Sequence, residues 1–291
     1  MNLSNTDRIR RLNRIVTSEV GALDSSFLGR GRTLGAARVL SAIGHGCKDV
    51  AELRKKFGLD SGLMSRLLRG LEKEGLIEIS PQPNDARRRY CILTESGERE
   101  FRAYETLSNR RATAILGRHS QPEKLLAAID TVACAFGRDR IVVEELDPRS
   151  NQARYCLLQY YEELDRRFET GFDVSLSRDP DARDMVRPRG SFIAALLDET
   201  AVGAVGLKGS GDGSAEIKRL WVAPCARGLG LGRRLMDAAE NIARQLSIEY
   251  LRLDTNSVLQ EALNLYRASG WTQIERFNDD PYPDIFFEKR L

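Results

Sequence analysis

The residues best suited to chemistry lie between Glu216 and Arg233. Residues 216–222 read as a strand, and Pro224 breaks it. From about Leu229 the pattern is helical, with Leu235, Ala239, Ile242 and Leu246 on one buried face. Arg227, Gly228, Leu229, Gly230, Leu231, Gly232 and Arg233 therefore form a glycine-rich turn from a strand into a helix N-terminus. Such a turn leaves backbone N–H groups without intrahelical acceptors and sets the positive end of the helix dipole beside them. It suits a pyrophosphate, and the three glycines remove side chains that would hold a phosphate away. The spacing alone does not name a nucleotide. A dinucleotide fingerprint places its third glycine one residue further on, and a Walker loop needs the Gly-Lys-Ser/Thr that is missing here.

The run 227–232 is similar to the Arg/Gln-x-x-Gly-x-Gly/Ala motif of the GNAT acetyltransferases. The segment from Ala262 through Leu265 and Tyr266 to Gly270 and Trp271 resembles the same superfamily's Ala-x-x-Leu-Tyr-x-x-x-Gly-Phe signature, with Trp271 in place of Phe. Leu259 stands where that signature often has Asn, which leaves Asn256, at a strand end, to take over the contact. The resemblance extends over about 141–291. It implies strands at 141–146, 191–197, 201–208, 215–222, 250–254, 271–276 and 284–289, and helices at 153–168 and from about 259.

What the resemblance implies is acetyl transfer from acetyl-CoA to an amine acceptor, either a small molecule or a protein. The cosubstrate would lie on the 227–233 loop and on the backbone amides of Leu220, Trp221 and Val222. Tyr266 matches a tyrosine that protonates the departing thiolate in many members; its phenol, with a pKa near ~10, suits a thiolate of ~8–9. The bland reading of Tyr266 is packing on an apolar helix face. Glu216 stands where some members carry a general base, and its bland reading is a salt bridge with Lys218 or Arg219. Cys225 reads as a small filler rather than a nucleophile. The acceptor is expected across the sheet, near Tyr160, Tyr161, Glu162 and Glu163 on one side and Asn278, Asp279, Asp280 and Tyr282 on the other.

The first half has a different pattern. Ile9, Leu12, Val16 and Val20 mark a helix over 5–20, and 33–43 forms a second. Asp49 caps 50–57, Gly58 ends it, and a further helix runs from Ser61 to about Glu74. On that helix Leu63, Leu67 and Leu71 share a side, while Gly62, Ser65, Arg66 and Arg69 form the opposite stripe. Small residues with arginines suit a helix pressed into the DNA major groove. Strand-like 76–80, a turn-rich tip, and 87–93 then read as a hairpin wing carrying Arg87, Arg88 and Arg89. This half resembles the MarR family of winged helix-turn-helix regulators. In that family an Asp-x-Arg pair, here Asp85 and Arg87, braces the wing, and terminal helices, here 5–20 and 121–136, intertwine into a homodimer.

Charge supports two domains. Residues 1–140 carry 25 Lys and Arg against 17 Asp and Glu, whereas 141–291 carry 20 against 25. A basic half joined to an acidic half points to double-stranded DNA as partner of the first only. No run approaches the ~18 apolar residues of a membrane helix, and the polar start carries no secretory core. Five scattered cysteines and two histidines offer no metal cluster and suit a reducing cytoplasm. The expected fold class is α+β in two domains. Residues 1–139 form a mainly α winged helix-turn-helix, and 140–291 a mixed α/β GNAT domain with a mostly antiparallel sheet. The leading function is a regulator fused to an N-acetyltransferase. The alternatives are a regulator that senses acetyl-CoA or a metabolite without catalysis, and an acetyltransferase whose first half only dimerises.

Overall fold

The computed structural model describes residues 4–82, 85–176 and 179–291. By internal contacts the chain divides into two units, one ending at Pro122 and one beginning at Glu123.

In the first unit, helices α1 (Asn5–Glu19), α2 (Leu34–Gly44), α3 (Val50–Phe57) and α4 (Ser61–Lys73) precede a two-stranded hairpin, β1 (Ile77–Gln82) and β2 (Asp85–Leu93), and the long α5 (Glu95–Gly117). Side-chain oxygens close the helix starts, as their residue types predict: Thr33 on Ala36, Asp49 on Ala51 and Glu52, Asp60 on Leu63, Thr94 on Gly97. Leu40, Leu53, Met64, Leu71 and Ile77 fill the core that fixes α4 beside the hairpin. Helix α1 buries none of its residues, and Ile9, Ile15 and Val16 are exposed on it.

The second unit starts within α6 (Pro122–Phe136), at its second residue. The sequence pattern puts the domain boundary at 139/140, whereas by contacts this helix counts with the second unit. Cys134 is buried in the second core, and its Sγ lies 3.1 Å from that of Cys225. Burial, with Cys225 beside it, pushes the Cys134 thiol up to about 12.

Then come β3 (Val142–Leu146), α7 (Asn151–Arg167), β4 (Gly190–Leu197), β5 (Thr200–Gly209), β6 (Ser214–Val222), α8 (Leu231–Gln245), β7 (Tyr250–Thr255), α9 (Gln260–Ala268), β8 (Thr272–Ile274) and β9 (Ile285–Arg290). The sheet runs β3-β4-β5-β6-β7-β9-β8. Every neighbour pair is antiparallel except β6 with β7. That exception follows from connectivity, since a parallel neighbour needs a crossover and α8 provides it. Leu231, Leu235, Met236, Ala239 and Ile242 bury one face of α8.

Two irregularities shape β6. Its pairing with β7 stops at Ile217 with Leu253, although β6 continues to Val222. Opposite β5 the register shifts: Ala204 pairs with Trp221 and Gly206 with Lys218, so Arg219 and Leu220 share one partner position. Arg219 sits in this bulge at φ +56°, a left-handed conformation rare for a side chain of its size. The strands fork from that point.

Candidate active site

The loop after β6 leaves a row of backbone amides open. Gly228 and Gly230 both have φ +76°, where a Cβ would be strained, and the space around both positions is open. Gly230 caps α8 without any side-chain bond. Among the described residues, no acceptor meets the backbone N–H groups of Gly228 to Arg233; the first amide to find one is Arg234, on the Gly230 carbonyl at 3.3 Å. Gly232 lies in the first turn, with Leu265 only 3.2 Å from where a Cβ would stand.

Arg227 fixes this loop rather than reaching away from it. Its guanidinium is 2.6 Å from both oxygens of Glu163 on α7, and its Nε donates to the Val222 carbonyl at 3.1 Å. Glu163 also pairs with Arg167, which continues to Glu261 on α9. Pairing with Arg167 holds the Glu261 carboxyl below its usual range.

Strand alternation decides where the amides of β6 point. Ala223 N–H donates back to Val202 in β5, while the Val222 carbonyl faces Arg227. Trp221, paired with Ala204, therefore turns its polar groups to β5. Leu220 and Val222 turn theirs to the fork. All three residues line the cavity beside the loop.

Two cavities meet at the fork. The one beside the loop, about 370 Å³, is lined by Trp221, Val222, Gly228, Gly230, Gly232 and Arg233 among others. The one beyond it, about 220 Å³, is lined by Glu216, Lys218, Asp254, Tyr266, Asn278 and Tyr282 among others. Tyr160, Leu164, Leu220, Leu259 and Ala262 border both. Tyr266 is buried, with ring centroids 6.2 Å from Trp271 and 5.8 Å from Phe287, and it also lines the second cavity. Packing and exposure to the cavity are thus both true of it. Burial, with Asp254 nearby, raises its pKa.

Glu216 is ion-paired, Oε2 to Lys218 Nζ at 3.0 Å. Lys218 also reaches Asp254 Oδ2 at 2.7 Å. Burial opposes the Lys218 ammonium, but Asp254 and Glu216 outweigh it and raise its pKa. Asn278 donates to the same Asp254 oxygen at 2.6 Å. The salt bridge between Glu216 and Lys218 is the one the sequence offers as the bland reading of Glu216; sequence reasoning missed Asp254, because a single charge on a strand carries no motif. Asn256 is not brought to the glycine loop. Its Nδ2 donates to the Tyr282 carbonyl at 2.7 Å and its Oδ1 accepts from Val258 N–H, so it braces the far cavity. Of the acceptor-side residues, Tyr160, Asn278, Asp280 and Tyr282 line that cavity; Tyr161 instead accepts from Arg219 Nε and donates to the Pro180 carbonyl. Glu162 bonds Gln159, and Asp279 is exposed.

In the first unit, Ser61, Gly62, Ser65, Arg66 and Arg69 are all exposed along α4, opposite the buried Met64, Leu68 and Leu71. Ser65, Arg69 and Arg89 line one groove between α4 and the hairpin. Arg88 is committed elsewhere, its Nε 2.9 Å from the buried Asp49 carboxylate. The side chains of Asp85 and Arg87, and all of Pro83 and Asn84, lie outside the described residues.

A forked mixed sheet with a glycine-rich, helix-capped loop beside the fork defines an acyl-CoA-binding class of fold. The sequence model of the Acetyltransferase (GNAT) family matches residues 157–271, and that of the MarR family matches 30–88. An IAA acetyltransferase of Azospirillum brasilense is 32% identical over 149 residues, spanning 49% of this chain and 95% of that protein. An uncharacterised N-acetyltransferase of Schizosaccharomyces pombe is 32% identical over 102 residues, 34% of this chain and 63% of that one. A GNAT-family acetyltransferase structure from Staphylococcus aureus Mu50 is 18% identical, covers 52% of this chain and 98% of its own, and has a TM-score of 0.46. The chain belongs to the GNAT acetyltransferase family and carries a MarR-family domain in its first half. It is an acetyl-CoA-dependent N-acetyltransferase. Among the described residues, no helix is long and apolar enough to cross a membrane.

Proposed function

We propose that the chain is a bifunctional protein: an N-acetyltransferase acting on a small amine, joined to a dimeric regulator that binds double-stranded DNA. The observation that carries the catalytic half is the fork, where the loop cavity and the Tyr266 cavity share a border at Leu220. The residues present fit acetyl-CoA. The N–H groups of Gly228 to Arg233 receive the pyrophosphate, with the positive end of the α8 dipole behind them. Leu220 and Val222 N–H groups receive the carbonyls of an extended chain laid along β6. Bound acetyl-CoA supplies an acyl group activated as a thioester.

In this reading the amide facing the fork stabilises negative charge as it develops on the acyl oxygen. Tyr266 holds its proton until the sulfur needs it. Glu216 is the carboxylate at the start of β6 that takes up the amine's proton, and its contact with Lys218 keeps it oriented. No covalent nucleophile is called for, since holding amine and acyl group together in one cleft suffices.

The exposed stripe on α4 carries the regulatory half. Gly62 and Ser65 permit close approach to a groove, while Arg66, Arg69 and Arg89 supply charge. Arg88 serves the interface indirectly by tying β2 to α3 through Asp49. Asp85 and Arg87 complete the wing tip in this reading. The exposed apolar residues of α1, with Leu126, Ile129, Val132 and Phe136 on α6, support a homodimer. The test is selection of genomic fragments with the whole chain, followed by shift assays at several salt concentrations. A preferred pseudo-palindrome with half-sites about 10 base pairs apart is expected. Arg69→Ala should weaken binding, relaxing one base position if it reads a base or lowering the salt slope by about one if it meets phosphate. Salt-labile binding with no preferred fragment, unchanged by Arg69→Ala, leaves a first half that only dimerises.

A further inference from the structure

The second cavity is lined by both charged and aromatic side chains. Asp254, Lys218 and Glu216 form an ion-paired cluster in its lining. Phe168, Phe172 and Tyr282 form a continuous ring wall in the same lining, with centroids 4.5 Å apart for Phe172 and Tyr282 and 5.8 Å for Phe168 and Tyr282. The wall is tied down, because the Tyr282 hydroxyl accepts the Asp173 N–H at 2.8 Å and the Tyr161 ring stacks on Phe172.

Asp254 is the more enclosed of the two carboxylates, its side chain 9% exposed against 29% for Glu216. Lys218 and Asn278 both bond its Oδ2. Among the described residues no donor reaches Oδ1. A carboxylate that lines the Tyr266 cavity and keeps one oxygen without a donor is a place for an ammonium, and the low-dielectric surroundings strengthen that pairing.

We propose that Asp254 Oδ1 binds the acceptor's ammonium and that the acceptor is an arylalkylamine without a carboxylate, its ring resting on Phe168, Phe172 and Tyr282. This rests on the acetyltransfer reading above. The remaining cations argue against a carboxylate beside the amine. Lys218 is already shared between Glu216 and Asp254, and Arg219 donates to Tyr161, Met185 and the Asp179 carbonyl. A polyamine would bring further ammonium groups into a lining that already holds Lys208 and Arg219, where like charges repel. A cavity of about 220 Å³ takes a single ring and a short chain.

The probe is 2-phenylethylamine, titrated calorimetrically into the whole chain. Its uncharged analogue 2-phenylethanol should bind about tenfold more weakly or worse, the worth of one charged hydrogen bond. Asp254→Asn should erase that difference and raise KM for the amine about tenfold or more while acetyl-CoA affinity stays within about twofold. Phenylalanine and spermidine should have lower kcat/KM than 2-phenylethylamine. Phe172→Ala should weaken 2-phenylethylamine but not ethylamine. Binding that depends on Asp254 with no turnover supports this assignment and counts against the catalytic reading. Equal binding of amine and alcohol, an unchanged KM in Asp254→Asn, or a preference for spermidine or phenylalanine overturns it.

Discussion

Tyr266 stands where packing and chemistry coincide, enclosed by Trp271 and Phe287 yet open to the cavity. Tyr266→Phe keeps the ring and removes only the hydroxyl. Its kcat should fall by about 10²–10⁴-fold, the usual worth of general acid catalysis, with acetyl-CoA affinity little changed. Burial raises the phenol's pKa, so its protonated form persists to higher pH than the ~10 of a free phenol. The proton donor is therefore intact throughout neutral and mildly alkaline conditions, and a pH–rate profile should show no loss attributable to it below about pH 10. A wild-type rate in Tyr266→Phe reduces the residue to packing. Tyr266 is legible in the sequence because it sits in a motif with fixed neighbours. Asp254 is not. Its partners Lys218 and Asn278 lie in other elements and meet it only once β6, β7 and the 278–283 segment come together. Asn256 shows the converse: its position at a strand end suggests a cosubstrate contact, but its amide is consumed by Tyr282 and Val258.

At the scale of elements, local chemistry marks most boundaries. Side-chain caps at Thr33, Asp49, Asp60, Thr94 and Ser150 open helices near where apolar periodicity begins. The bulge at Arg219 is invisible in the sequence, because a left-handed arginine inside a strand has no marker there. It is held by tertiary bonds to Tyr161, Met185 and Asp179. The ending of the β6–β7 ladder at Ile217 is equally non-local. Asp49 joins two elements, capping α3 while pairing with Arg88 of β2. Asp49→Ala should destabilise the first unit by about 0.5–2 kcal/mol for the cap alone. Asp49→Asn keeps a capping oxygen but gives up the charge pair, so it should keep more of the stability yet still loosen the hairpin. Denaturant unfolding and hydrogen exchange of β2 report the two effects separately. Equal stability of Asp49→Ala and wild type removes Asp49 as the link between α3 and the wing.

Across the whole molecule, the uneven charge in the sequence matches two units with different surfaces. The basic first unit exposes Arg66, Arg69 and Arg89, whereas in the acidic second unit the proposed anion site is made of backbone amides. On that proposal net charge says little about where a pyrophosphate binds, because α8 and its loop supply the local field. The central claim is that acetyl-CoA binds at that loop and feeds the fork. The direct measurement is calorimetric titration of acetyl-CoA into the whole chain and its Gly230→Glu variant, with Gly230→Ala as the control for a side chain at φ +76°. The alanine variant should retain most of the affinity, because the space there is open, and should lose about 1 kcal/mol of stability or somewhat more to backbone strain. The glutamate variant, with bulk and negative charge at the N-terminus of α8, should lose acetyl-CoA binding while unfolding like the alanine variant. Wild-type affinity in a folded Gly230→Glu protein contradicts the assignment.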